Sequence, residues 1–190
     1  MPHISNAVEY ALHCLLYLVD PAGKQVSAST RDLADLQGVS AEYLAKIFTK
    51  LHRAGLVVGM EGSGGGFALA RAPEKINFLD VIVAIDGKKP LFECKNVRLG
   101  CALFGATAPR WASKGVCSIH AVMREAEARM LTVLAGHTLA DLTARVASKA
   151  PSTFADDISK WLAQPTARRP IATQKAPGRG RGRKSRVRRA

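Results

Sequence analysis

Apolar side chains recur along most of this chain at helical spacing. Val8, Leu12, Leu15, Leu16 and Val19 mark one face of an N-terminal helix, because positions three and four apart share a side. Leu33 and Leu36 do the same for a shorter helix from Ser29 to Leu36. There Ser29 is the N-cap and Asp32, three residues on, completes a capping-box pattern. Leu44, Ile47, Phe48 and Leu51 form the inner stripe of a third helix, capped by Ser40. Gly55 closes it, since glycine adopts the left-handed C′ conformation freely. Gln37-Gly38-Val39 is the turn between these two short helices. The pattern then changes. Leu56-Val57-Val58 and Phe67-Ala68-Leu69 read as strands around the glycine-rich tip Gly62-Ser63-Gly64-Gly65-Gly66. A helix follows from Ile76 to Ile85 and ends at Asp86-Gly87. Ile119, Val122, Met123, Ala126, Met130, Val133 and Leu134 then define a long helix from Ser118 to Ala135, with Arg124, Glu125, Glu127 and Arg129 assigned to its outer face. Thr138 caps a last helix, L-A-D-L-T-A-R-V.

These elements predict a mainly α fold with a small β-wing. A winged helix-turn-helix domain spans 1–90, a loop 91–117, a long helix with its follower 118–150, and a tail 165–190. The order of turn, capped helix and hairpin suits a helix lying in a groove of double-stranded DNA with a wing beside it. The candidate contacts are Ser29 and Thr30 at the start of the first helix of the pair, and Ser40, Glu42, Tyr43, Lys46, Lys50 and Arg53 on or beside the outer face of the second. Gly64, Gly65 and Gly66 would bring bare backbone N–H groups to the phosphates. Taken singly, each motif also reads as a solvated helix face or a loose hairpin; their order points to DNA. The long helix is the candidate dimerisation element, because one protomer has little other core to cover it.

Composition fits one domain with an arm. Of 190 residues, 47% are hydrophobic, enough for a core. No apolar run reaches membrane-spanning length, and Glu9 and His13 interrupt the first helix, so neither a membrane partner nor a signal peptide is expected and the cytoplasm is the expected compartment. Ten of the 28 Lys and Arg residues lie beyond Pro165 with no acid among them, leaving 18 bases against 15 acids in the body. That tail is low-complexity and is expected to be disordered, adding phosphate contacts or solubility.

Four cysteines in such a compartment read as thiols or metal ligands rather than disulfides. Cys94, Cys101 and Cys117 are spaced C-x6-C-x15-C in a segment poor in apolar repeats, which a metal or an iron–sulfur cluster could order; solitary thiols are the alternative. The spacing is not that of a zinc ribbon. Glu9 and His13 are four apart on one side of the first helix, either a bidentate ligand pair or an ordinary surface pair. Cys14 reads as a small core residue. With no phosphate loop, nucleophile elbow or H-E-x-x-H helix in the sequence, an enzyme is not expected.

The segment EYLAKIFTKLHRAGLV…GSGGGFALAR resembles the reading head of the IscR/NsrR/RsrR regulators, the Rrf-two family of dimeric winged-helix repressors and activators. The likeness runs from Ile4 to Ala147. The family usually carries an Arg just before the wing glycines; Glu61 stands here, so wing contacts through backbone are expected. NAVEYALHCLLYLV looks like the first helix of the RsrR-type branch. The resemblance implies a 2Fe–2S cluster held across the dimer by Glu9 and His13 of one subunit and the cysteines matching Cys94, in Phe92-Glu93-Cys94, and Cys117 of the other. Cys117-Ser118-Ile119-His120 also resembles the IscR-type C-x2-H ending, and NsrR-type members use three cysteines for a 4Fe–4S cluster; this keeps Cys101 and His120 in reserve. The wide second gap departs from both of those patterns. The expected function is a homodimeric regulator of a pseudo-palindromic operator, sensing redox, oxidative or nitrosative signals through the cluster. The alternative is a cluster-free regulator of the same fold that switches by thiol–disulfide exchange.

Overall fold

Helix caps set where this chain turns. In the computed structural model, which describes residues 4–19, 26–61 and 65–164, Ser29 Oγ accepts the Asp32 N–H at 3.1 Å and starts α2 (Thr30–Gln37). Gly38, with φ 66° and ψ 36°, ends it in the left-handed region. Ser40 Oγ accepts the Tyr43 N–H at 3.2 Å and starts α3 (Ala41–Arg53). Gly55, at φ 65°, turns the chain out of α3 into the wing. Gly64 and the tail over 165–190 lie outside the described residues.

The core gathers around α3. Its stripe Leu44, Ile47, Phe48 and Leu51 is buried to the last residue, each such side chain contributing roughly 1.5–3 kcal/mol on leaving water. Against it pack α1 (Asn6–Tyr17), through Val8, Ala11, Cys14 and Leu15, and α4 (Phe78–Asp86), through Val81 and Ile85. Leu12 and Val19, expected on the inner face of α1, are only half-buried at its edge. In the wing, β1 (Val57–Met60) and β2 (Gly66–Leu69) pair antiparallel, Val57 opposite Leu69 and Met60 opposite Gly66. A third stretch joins them: Ala28 and Phe67 exchange both backbone hydrogen bonds, at 3.1 and 2.8 Å.

Beyond the wing, α6 (Ser118–Ala135) buries none of its residues, while α7 (Leu139–Ala147) belongs to the main core. Leu139 is fully buried, its N–H donates to Ile76 O at 2.9 Å, and the Phe78 N–H donates to His137 O at 3.0 Å. Two capping boxes, Asn77 with Asp80 and Thr138 with Asp141, frame that seam. Glu127 is not an outer-face residue: its Oε1 accepts the Leu91 N–H at 3.0 Å and holds the loop's first residue against α6. Within the loop, α5 (Arg110–Ser113) buries Ala112, and Trp111 meets Phe104 edge-on at 5.5 Å. A further helix, α8 (Phe154–Ala163), ends the described chain.

Candidate nucleic-acid interface and thiol site

The face of α3 opposite the core carries Glu42, Tyr43, Lys46 and Arg53, all exposed. The Tyr43 and Tyr10 rings meet edge to face with centroids 5.6 Å apart, so Tyr43 rests on α1 while 37% of its surface stays open. Ser29 and Thr30 sit beside the wing, because β2 begins against the Ala28–Ser29 backbone. A Cβ placed on Gly66 would lie 2.3 Å from Ala28 O and 2.7 Å from Ser29 N. Glycine at 66 is therefore needed for contact within the protein, whatever it does toward DNA. Lys50 is also engaged: its Nζ donates to Ile85 O at 2.7 Å, at the end of α4. The neighbouring Asp86 accepts from Ser5 N at 2.9 Å and Ser5 Oγ at 2.6 Å, so α1, α3 and α4 meet in one polar joint.

The loop brings Cys94 and Cys117 together. Cys117 immediately precedes α6. Its side chain makes no full cap hydrogen bond, yet the backbone N–H groups of His120 and Ile119 lie close enough to hold the thiol below its ordinary pKa. Burial opposes this, and the Arg98 charge and the adjacent Cys94 thiol add smaller lowering effects. A helix N-terminus stabilises thiolate in this way. Cys94 lies 3.6 Å from Asn96 Oδ1, and Asn96, at φ 52°, reverses the chain behind it. His120 lends Cys117 its backbone N–H, while its ring lies 6.0 Å from that of Phe92. Cys101 is half-buried between two 3₁₀ turns. Cys14 is fully buried, and burial pushes its thiol up to about 12, as fits a core residue.

Glu9 and His13 are exposed one turn apart on α1. They border an open groove of about 380 Å³, shared with Ile4, Leu12, Phe78 and Leu142. Among the described residues, no three His, Cys, Asp or Glu side chains of one chain converge into a metal site. Each chain thus presents two separate pairs, a thiol pair at the start of α6 and a Glu/His pair on α1.

Residues 4–145 match the family described as Rrf2, iron-dependent transcriptional regulator. The chain belongs to the Rrf2 family. The HTH-type transcriptional regulator NsrR of Shouchella clausii is 30% identical over 139 residues, 73% of this chain and 87% of its own length. The HTH-type regulator IscR of Aliivibrio salmonicida is 33% identical over 111 residues, 58% of this chain and 60% of its own length. Among solved structures, T. potens IscR has a TM-score of 0.56 at 22% identity, covering 79% of this chain and 93% of that one. The global cysteine regulator CymR of B. subtilis has 0.55 at 24%, covering 76% and 98%. These two likenesses establish the shared winged-helix fold.

This Rrf2 chain is accordingly a transcriptional regulator and not an enzyme. Proteins of its family bind DNA. Among its described residues no helix is long and apolar enough to cross a membrane. Sequence reasoning missed Arg98, whose Nη2 donates to Gly115 O at 2.7 Å across the loop. No periodicity marks such a strap, and nothing in the sequence separates Arg98 from Lys95, Arg110 and Lys114 in the same cysteine-bearing loop.

Proposed function

We propose that this regulator acts as a homodimer on a pseudo-palindromic operator, under control of a 2Fe–2S cluster held between subunits. Glu9 and His13 of one subunit and the thiols corresponding to Cys94 and Cys117 of the other would hold it. The observation that carries this reading is the separation of the two ligand pairs in one chain, beside an α6 that buries none of its residues. The donor set fits the group: two soft thiols lie together, the Cys117 thiol is held below its ordinary pKa at a helix N-terminus, and the loop that carries them holds a buried guanidinium nitrogen of Arg98 that has no protein partner. When bound, such a cluster supplies a one-electron centre responsive to redox, oxidative and nitrosative signals. The protein's own residues do the rest. Asn96 and Arg98 shape the loop that presents the thiols, and Glu127 fastens its start to α6. Glu9 and His13 stand on the helix whose N-terminal Ser5 grips Asp86, one residue beyond the carbonyl that Lys50 of the reading helix grips. A change in how α1 is held therefore reaches α3 through a polar joint rather than through a loop.

Anaerobic ultraviolet–visible spectra, with iron and sulfide counted per chain, test the reading. Two irons per cluster, lost in Cys94→Ala, Cys117→Ala and the Glu9/His13 double variant and kept in Cys101→Ala, are expected. Four irons, lost in Cys101→Ala, would replace it with a three-cysteine 4Fe–4S site. A second reading rests on the closeness of Cys94 to a thiolate-leaning Cys117: a cluster-free thiol–disulfide switch. Colourless protein that gains a Cys94–Cys117 disulfide under oxidant, seen by non-reducing mass measurement, would favour it.

A further inference from the structure

We propose that Arg98 is the positioning residue of the thiol site, its buried Nε–H donating to a cluster-bearing thiolate while its outer nitrogen pins the loop. The inference rests on the cluster reading above and assigns a role to a residue outside the ligand set. Arg98 lies four residues beyond Cys94, just after the left-handed turn at Asn96. Its Nη2 spans to Gly115 O at 2.7 Å; Gly115 has φ 75° and precedes Cys117 by two residues. One side chain thus ties the turn that leaves the first cysteine to the turn that reaches the second. Among the described residues, its Nε is the buried side-chain nitrogen or oxygen with no hydrogen-bond partner.

A buried donor left unpartnered is costly, and more so in a charged group. A guanidinium carries five N–H donors in a fixed fork, so when Nη2 is committed to Gly115 the direction of Nε is set as well. The Arg98 charge is felt at the Cys117 thiol, and a thiolate is a stronger acceptor of a charge-assisted bond than a thiol. The other cation beside Cys94, Lys95, is engaged with Glu93 at 3.4 Å in solvent. A donor and a positive charge at the sulfur side of a cluster stabilise its more negative, one-electron-reduced form, as hydrogen bonds to cluster sulfurs do generally. No proton need move in that step.

The test uses the full chain, reconstituted anaerobically, as wild type, Arg98→Met and Arg98→Lys. The readout is the reduction potential, in mediated titrations with dithionite as one-electron donor and ferricyanide as acceptor. Arg98→Met is expected to make reduction about tenfold less favourable, about 59 mV for one electron. Arg98→Lys keeps the charge but has no Nε, and is expected to recover only part of the loss. Hydrogen exchange on cluster-free protein is the second readout: the amides from Gly115 to Cys117 should exchange faster in Arg98→Met, with α3 unchanged. Equal potentials within twofold in the reduction equilibrium would overturn the donor role. So would full recovery in Arg98→Lys, which would leave charge alone as the cause. If neither variant takes up iron while α3 stays protected, Arg98 merely straps the loop and the donor role fails. If wild type itself takes up no iron, the cluster reading fails first, and the donor role falls with it.

Discussion

Lys46 and Lys50 lie one turn apart on α3, yet their side chains have different tasks. Lys46 projects freely from the exposed face, while Lys50 bonds the Ile85 carbonyl at the end of α4. Lys46→Ala is expected to weaken operator binding similarly across sequences and to lower the slope of log affinity against log salt by about 1, as loss of one phosphate contact does. Lys50→Ala should instead cost about 1 kcal/mol of stability, the scale of one hydrogen bond, with a smaller change in salt slope. Fluorescence anisotropy over a salt series and urea denaturation separate the two; unchanged DNA affinity in both would refute this assignment of the face. Gly66 is a second residue whose task is internal. Gly66→Ala forces backbone at Ala28 or β2 to move and is expected to destabilise by about 1–3 kcal/mol, the range for overpacking. At Gly59 a Cβ meets nothing within 4 Å, so Gly59→Ala should leave the urea midpoint nearly unchanged.

At the scale of elements, what the sequence disclosed was local. The α3 stripe was readable because four apolar residues at period 3.6, a serine cap and a closing glycine all agree within sixteen positions, and every stripe residue is buried. Cys14 was readable as core from residue type, a small apolar side chain on the first helix. The bridge from Ala28 to Phe67 was not, because a single backbone pair across a long separation has no period. Glu127 looked like an outer-face charge because its partner is a loop amide far back in sequence. The joint between α1 and α4 was equally hidden, and it is sensitive to acid. Burial alone would raise the Asp86 pKa, but the hydrogen bonds from Ser5 and the charges of Lys89 and Lys50 outweigh it and hold the carboxyl below its ordinary 3.8. A depressed carboxyl adds stability above the unfolded value and loses it as pH falls through the folded one. Asp86→Ala is therefore expected to lower the urea midpoint at neutral pH, with the gap to wild type closing as pH drops below 3.8. A gap independent of pH would show that the carboxylate charge contributes nothing there.

For the whole molecule, the candidate site divides along the same line. Glu9, His13, Cys94 and Cys117 could be named from residue type and family likeness, and the structure sets them out as two pairs. The strap from Arg98 that organises the thiol pair is a contact between distant turns, which only a folded chain displays. The bareness of α6 has one more consequence. Ile119, Val122 and Val133 are each more than half exposed; if a second copy covers them, as proposed above, the free energy gained belongs to the pair and not to the protomer. Stability then becomes a matter of mass action. The thermal midpoint should climb as the protein is concentrated, and Val122→Glu should flatten that climb and lower operator affinity, measured by calorimetry and sedimentation across a dilution series. On this reading, the amount of regulator in a cell sets how much of it is folded into a form able to span both halves of its operator.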